Sequence, residues 1–504
     1  MNESFWGNDI KQVHNGIHYY FARFAAECPQ KRLYFTEQRE YRAAELFRMS
    51  LNAAHDLERL GVKKGDLIGL RATRCIQMGI LFFALQFIGA VAVLCDPHCG
   101  VREFIAQSGV DMVVDKYISN EERGGGLADG EDWHYYDNGK KTPLHFSDGQ
   151  TEDAYAGAAD IYAPAVIIFT SGSTGVSKAV MLSQFNCMNH AVNYGYGGCY
   201  SASDISICIV PMHHVYGLGL WLTTVMHRYE VLFPQRLDAE YIAECIDRYG
   251  MTRLGGVPSL LLALAKFKSE KGYSLKSLQA GTMGGAPVTA EQFAFIEGTL
   301  GIRLMPVYGM SECIGISALP ESSPAELRRT TVGKPLPLNN VVVMDDSGRP
   351  CVAGEHGEIC VSGPVVTAGY YNNPEATKAA IVDGWLHTGD LGYFDGDGCL
   401  RISGRKKDII IRNGNNLSSV AIEQKLISSP YVRDACVVGV KDDKEGEVPA
   451  AAIVLDGGRP SETDSLFGAL QKNERPAQVK FVDKIPLTST GKPDKQAVSA
   501  MFGK

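Results

Sequence analysis

The chain has 504 residues, more than a single hydrophobic core organises, so two or more domains are expected. Hydrophobic content of 45%, charged content of 21% and 22 prolines spread along the chain exclude disorder, and a net charge of −8 removes any electrostatic reason to expect nucleic acid or an anionic membrane as partner. Thirteen cysteines without a small-domain framework, and an opening "MNESFWGND" with no basic and apolar leader, suit a reducing compartment, so the expected location is cytoplasmic.

In chain order, "LERLGVKKGDLIGL" (Leu57 to Leu70) reads as helix, Gly stop, turn and strand, the alternation of an α/β layer architecture. The apolar run Met78 to Cys95 is just long enough for a membrane span. Gly89 divides it into a helical part and the β-branched "AVAVLC", so helix, Gly turn and buried strand is the reading, and no transmembrane segment is expected. "CDPHC" (Cys95, His98, Cys99) has no companion cluster at metal-ligand spacing and is read as core and turn. Residues from about Asn120 to Gly157, with "RGGG", "DNGKK" and "SDGQ", read as turn-rich surface loop.

The run "AVII" then leads into "FTSGSTGVSK" (Phe169 to Lys178). Glycines let the main chain curl into a nest of N–H donors for an anion, with Thr170, Ser171, Ser173, Thr174 and Lys178 adding side-chain donors; an ordinary flexible loop is the alternative. A Walker loop is excluded because Val176 and Ser177 separate Gly175 from Lys178, and "KAVML" after it reads as a strand, so the loop tips a hairpin. Helix and strand alternate onward through "ISICIV", "YIAECIDRYG", "PSLLLALAKF" and "EQFAFIEGTL". Near Ser403 the texture changes to a basic turn and strand, a helix from Ser418, strands near Val437 and Ala452, a helix near Leu466 and a strand at Val479. The expected fold is mixed α/β: a large domain of β-sheets flanked by helices over residues 1–403, and a small α+β domain over 404–504.

After the loop come "PMHHVYGLG" (Pro211 to Gly219), "GGAP" (Gly284 to Pro287), "YGMSE" (Tyr308 to Glu312), "GYYNNPEAT" (Gly369 to Thr377), "WLHTGDLGYFDGDG" (Trp385 to Gly398), "GRKKD" (Gly404 to Asp408) and "PLTSTGKPDK" (Pro486 to Lys495). This ordered set resembles the adenylate-forming superfamily of acyl-CoA synthetases, peptide-synthetase adenylation domains and luciferases, over essentially the whole chain. The resemblance implies that the loop Thr170, Ser171, Gly172, Ser173, Thr174, Gly175 and Lys178 holds the β- and γ-phosphates of ATP. It implies that Gly285, Ala286 and Pro287 run along the nucleotide with Gly309 and Ser311, that Tyr308 stacks on adenine, and that Glu312 ligates Mg²⁺. Asp390 is similar to the ribose ligand and Arg405 to the arginine that contacts ribose and phosphate. Lys492 resembles the lysine that bridges the substrate carboxylate and the α-phosphate, and His214 a gate to that carboxylate.

Two departures are visible. Pro306 stands where many relatives carry an amide or carboxyl side chain, leaving the adenine amino group to the backbone, and Ser311 replaces Thr with the hydroxyl kept. The acid pocket implied is His214, Val215, Tyr216, Gly217, Gly219, Met283, Gly284, Gly309 and Met310. It is mostly apolar, which suits an aryl or medium acyl chain. Amino-acid-activating relatives place an Asp where Val215 stands, and an ammonium facing Val would be buried without its counter-charge. "PMHHVYGLG" looks most like coumarate-type and medium-chain acyl-CoA ligases. The activity implied is an ATP-dependent carboxylic acid–CoA ligase: acyl-AMP and pyrophosphate form, then the CoA thiol displaces AMP. A mobile small domain pivoting at Lys407 would exchange Lys492 for the turn of Gly414 and Asn415, along which CoA runs. Three other readings stay open: loading of a separate carrier protein, a luciferase-like oxygenase, and a non-catalytic nucleotide-binding module.

Overall fold

The computed structural model describes residues 11–120, 133–147, 160–170, 177–197, 200–457, 466–487 and 493–503. The chain divides into two compact units, Met1–Val341 with Val361–Leu386, and Val342–Cys360 with His387–Lys504.

In the first unit, helix α1 (Ala43–Arg59) ends before Gly61, whose φ of +94° turns the chain into strand β1 (Leu67–Arg71). Helix α2 (Ile76–Ile88) is buried all round, and its left-handed cap Gly89 (φ +78°) redirects the chain into β2 (Val91–Cys95), also wholly buried. The run that measures long enough for a membrane is thus two elements of a core. No helix among the described residues is long and apolar enough to cross a bilayer.

Strand β3 (Lys116–Asn120) follows, and then a correction to the expected loop. Residues 133–147 contain a hairpin, β4 (Trp133–Asp137) and β5 (Lys140–Pro143), joined by Asn138 and Gly139 at φ +47° and +84°. Both signs are positive because a two-residue turn must match the right-handed twist of its strands, and Asn-Gly supplies them cheaply. Trp133 is fully buried. Residues 121–132 and 148–159 lie outside the described residues.

Strands β6 (Pro164–Thr170) and β7 (Lys178–Ser183) form the expected antiparallel hairpin, with Thr170 opposite Lys178. Helices α3 (Gln184–Gly197) and α4 (Val215–His227) come next, then α5 (Ala239–Tyr249), strand β8 (Arg253–Gly256), α6 (Pro258–Lys271), β9 (Ala280–Met283), α7 (Ala290–Leu300), β10 (Arg303–Met310) and β11 (Cys313–Ala318). Strand β12 (Gly369–Tyr370) pairs with β7, giving an eight-stranded sheet in the order β12-β7-β6-β2-β1-β3-β4-β5. β6, β2, β1 and β3 run parallel, so their carboxyl ends share one edge, where α/β sheets bind ligands. Strands β8, β9, β10 and β11 belong to a second sheet, its first three strands parallel.

In the second unit, β13 (Trp385–Phe394) enters from the first unit and pairs antiparallel with β14 (Leu400–Arg405). A single turn, Lys406–Asp408, separates β14 from β15 (Ile409–Arg412), which pairs with β16 (Asn415–Ser418). Helix α8 (Ser419–Ile427) is capped by the Ser418 side chain, and β17 (Val432–Asp442), β18 (Gly446–Leu455) and β19 (Gln478–Phe481) complete the sheet. Of the helix expected near Leu466, residues 458–465 lie outside the described residues; Leu466 and Phe467 are in a 3-10 turn, and with Leu470 they pack into the core.

Candidate functional site: a phosphate-loop hairpin and a buried carboxylate

Of the expected phosphate loop, Thr170 and Lys178 are described, whereas Ser171, Gly172, Ser173, Thr174 and Gly175 lie outside the described residues. The two ends are pinned together, since the Lys178 N–H donates to Thr170 Oγ1 at 3.4 Å. Lys178 Nζ stands 4.7 Å from the ring centroid of Tyr370, on the neighbouring strand β12. The Tyr370 hydroxyl in turn donates to Glu312 Oε1 at 2.8 Å, and the Thr367 N–H donates to the Glu312 carbonyl at the same distance. Tyr370 therefore ties the lysine of the loop to the expected metal ligand. Sequence reasoning assigned it nothing, although the signal was present in "GYYNNPEAT". Burial, then the adjacent Glu312 carboxylate, pushes the Tyr370 phenol well above its ordinary value, so it stays a donor.

Glu312 is 7% exposed and forms no ion pair among the described residues. A buried carboxylate whose partner is a neutral phenol lacks its counter-charge, which costs several kcal/mol unless a cation supplies it. A buried carboxylate of this kind is a hard oxygen donor of the type that fits Mg²⁺.

Glycines shape the floor. Strand β9 ends at Met283, and a Cβ on Gly284 would come within 2.6 Å of the Val307 carbonyl oxygen, so only glycine lets β9 and β10 close here. Gly285 then adopts φ +89° and turns Ala286 and Pro287 away from the strand end. Pro306, in β10, pairs with Met283. Tyr308 lies opposite Ser317, and a register shift after it brings Met310 opposite Cys313, which sets Ser311 and Glu312 at the tip of a tight β10–β11 turn. Gly309 closes that turn, since a Cβ there would meet Gly315 N at 2.7 Å.

His214 caps α4, and its ring lies 4.1 Å from that of His213. The Tyr216 hydroxyl donates to the Thr282 carbonyl at 3.0 Å, holding α4 against β9 beside Met283. Val215 and Tyr216 are half-buried. Gly217 and Gly219 serve packing: a Cβ would meet the Pro211 carbonyl oxygen at 2.2 Å and His190 Nε2 at 2.4 Å respectively.

In the second unit, β13 and β14 set Asp390 directly opposite Arg405. Arg405 Nε donates to Asp390 Oδ1 at 2.7 Å; the carboxylate is buried and the arginine side chain 43% exposed. The Asp390 N–H donates to Thr388 Oγ1, which donates to the Ile359 carbonyl, fixing the "TGD" turn. Glu358 braces it further by accepting from the Gly389 N–H at 3.0 Å, with His387 and Lys406 at the same carboxylate. Lys407 is exposed in the turn after β14. Gly414 (φ +76°) follows Asn413 (φ +50°) in the exposed β15–β16 turn, with Asn415 opposite Arg412. Lys492 lies outside the described residues; Leu487 and Pro493 form an antiparallel bridge.

A family model described as AMP-binding enzyme matches residues 21–371, and one described as AMP-binding enzyme C-terminal domain matches 421–492. The chain is 31% identical to 4-coumarate–CoA ligase 2 of Oryza sativa subsp. japonica, covering 95% of this chain and 91% of that protein. It is 30% identical to 2-succinylbenzoate–CoA ligase of Bacillus cereus (strain Q1), covering 90% and 92%. The solved structure of o-succinylbenzoate CoA synthetase from Bacillus subtilis, in complex with its acyl-adenylate intermediate, superposes with a TM-score of 0.82 at 26% identity over 95% of this chain and 97% of that one. The chain belongs to the AMP-binding enzyme family, within the adenylate-forming superfamily.

Proposed function

We propose that the chain is an ATP-dependent carboxylic acid–CoA ligase. A carboxylate oxygen attacks the α-phosphorus of ATP, the bond to the β-phosphate breaks, and pyrophosphate leaves with acyl-AMP behind. The CoA thiol, losing its proton, then attacks the acyl carbon, and AMP departs. The observation that carries this reading is Glu312: a buried carboxylate without a cationic partner among the described residues, joined through Tyr370 to Lys178 at the end of an anion loop. Full-length similarity to ligases of 4-coumarate and 2-succinylbenzoate supports the acid and CoA halves.

Glu312 would hold Mg²⁺, which neutralises phosphate charge when bound. Tyr308 stacks on adenine, with Gly285, Ala286, Pro287, Gly309 and Ser311 along the nucleotide. Asp390 accepts from the ribose hydroxyls, and its bond to Arg405 aims both groups. Lys492 stabilises charge on the α-phosphate. His214, Val215, Tyr216, Gly219, Met283, Gly284 and Met310 surround an aryl or medium acyl body, and Val215 argues against an α-ammonium. Residues 404–504 act as the moving domain, with Lys407 its pivot and Gly414 and Asn415 along the CoA arm. The place of action is the cytoplasm, where ATP and CoA are at hand. A separate carrier-protein thiol is the second acceptor to be compared.

The test is pyrophosphate release from aryl, short, medium and long carboxylic acids, each with and without CoA. Acid-dependent release, followed by AMP release that requires CoA, is expected. Release that responds only to α-amino acids, or AMP release that ignores CoA, would overturn the reading.

A further inference from the structure

Arg74 is the last residue before the N-cap of α2, at the carboxyl edge of β1. Its Nε and Nη1 are sealed from solvent and have no hydrogen-bond partner among the described residues. The helix behind it starts at the N-cap Cys75, and the first turn of α2 contains no acid. A guanidinium and a helix N-terminus therefore both present positive charge in one place, and each is stabilised by an anion. Burial pushes the Arg74 guanidinium down, opposed by the Cys208 thiol alone.

His213 adds to the demand. It is 7% exposed, and its Nδ1 also lacks a partner among the described residues. Burial, then His214, His98 and Arg74, pushes its imidazole down to about 3, so it stands neutral beside the cation. The carboxylate nearest its ring is Asp96, whose Oδ2 is 3.9 Å from Nε2. His213 is also in ring contact with His214, the residue assigned to the acid pocket. Arg74, the Asp96–His98 turn after β2 and the Thr170–Lys178 hairpin after β6 all belong to the same carboxyl edge of adjacent parallel strands.

We propose that Arg74, with the α2 N-terminus and His213, forms an anion-accepting subsite in the wall of the acid pocket, and that the preferred acid carries a second carboxylate. The inference rests on the ligase reading and narrows its substrate class. A monoacid would leave Arg74 Nε and Nη1 buried without an acceptor, whereas a terminal carboxylate offers the guanidinium a charge-assisted one. The apolar wall of Val215, Tyr216 and Met283 then accommodates the body between the two acid groups.

The test pairs each straight-chain dicarboxylic acid from succinic to sebacic with its own monomethyl ester, which keeps the length and removes one charge. Pyrophosphate release is measured with the full chain, its Arg74→Met and Arg74→Lys variants, and CoA varied separately. The unaltered protein should favour one diacid over its ester by about 10²-fold in kcat/KM. Arg74→Met should abolish that preference while leaving the ester's rate nearly unchanged, and Arg74→Lys should restore part of it. The diacid should also raise the melting temperature of the unaltered protein and not of Arg74→Met. Esters turned over as well as diacids, equal loss for both in Arg74→Met, or a change confined to the KM for CoA would each overturn the subsite while leaving the ligase reading standing. No acid-dependent release from any acid overturns both. The diacid-to-ester comparison needs no variant, so misfolding of Arg74→Met leaves the test intact.

Discussion

Two carboxylates, one in each unit, face opposite electrostatic situations. Asp390 is buried but lies across a β-ladder from Arg405, 2.7 Å away, so its charge is answered inside the protein. Glu312 is equally buried, yet among the described residues the side chain bonded to it is a neutral phenol. The first arrangement fixes a geometry before any ligand arrives; the second leaves an electrostatic demand that a bound cation must meet. Ligand dependence should therefore concentrate in the large unit, and Arg74 repeats the logic with the opposite sign.

The largest expected effect probes the chemistry itself. Lys492→Ala should slow acid-dependent pyrophosphate release by about 10²–10³-fold, the scale of losing one preorganised donor to a developing oxyanion, and should spare thioester formation from supplied acyl-AMP. Equal damage to both half-reactions would show that Lys492 serves both steps or holds structure. Next, Glu312→Gln should lower pyrophosphate release by about 10²-fold while the melting temperature holds or rises, because the change removes an uncompensated charge and keeps an acceptor for Tyr370. A clear fall in melting temperature would break the comparison, since it would mean that Glu312 is already satisfied in the empty protein.

Lys407→Pro tests whether the small domain must swing. Fixing φ near −65° in the turn between β14 and β15 touches none of the proposed catalytic groups. Adenylate formation should persist and CoA-dependent thioester formation should largely disappear. Normal kinetics in both half-reactions, in a folded variant, would remove Lys407 as the pivot.

Much of this architecture was legible because it depends on local chemistry. Gly89 splits an apolar run through its left-handed φ, and the Pro164–Ser183 hairpin follows from two β-branched runs flanking a Gly/Ser/Thr cluster. The Asn138–Gly139 turn carried an equally local signal, and the surrounding Gly- and Asp-rich text concealed it, so a surface hairpin anchored by Trp133 was read as loop. Tyr370, Arg74 and the packing of Gly219 against His190 were not legible. Their partners lie far away in the chain (Tyr370 and Glu312 are 58 residues apart), and only the assembled sheets bring such residues together.

Acid should act through buried imidazoles of the large unit. Burial pushes His190 down to about 4 and His213 to about 3, below the ordinary 6.5. The unfolded chain then binds more protons than the folded one below about pH 6.5, so stability falls as pH falls. From about pH 7 to about pH 5 each of the two should contribute roughly 2 kcal/mol of lost stability. Urea unfolding at both pH values checks this: His213→Phe should remove its own share of the slope, and an unchanged slope would mean that the ring is protonated when folded.

The smallest effect is the one that the Asp390–Arg405 ladder predicts for stability. Although the pair is short, nearly half of the arginine side chain is in water, so the guanidinium keeps its solvation when its partner is neutralised. Screening holds such a pair to about 1 kcal/mol or less. Asp390→Asn also keeps an oxygen to accept from Arg405 Nε and leaves the Thr388 bond to the backbone N–H untouched. The melting temperature should therefore move little, while the KM for ATP should rise as the ribose loses a charged acceptor. A loss of stability well beyond about 1 kcal/mol, with ATP binding unaltered, would mean that Asp390 holds the second unit together rather than meeting the nucleotide, and the contrast with Glu312 would have to be redrawn.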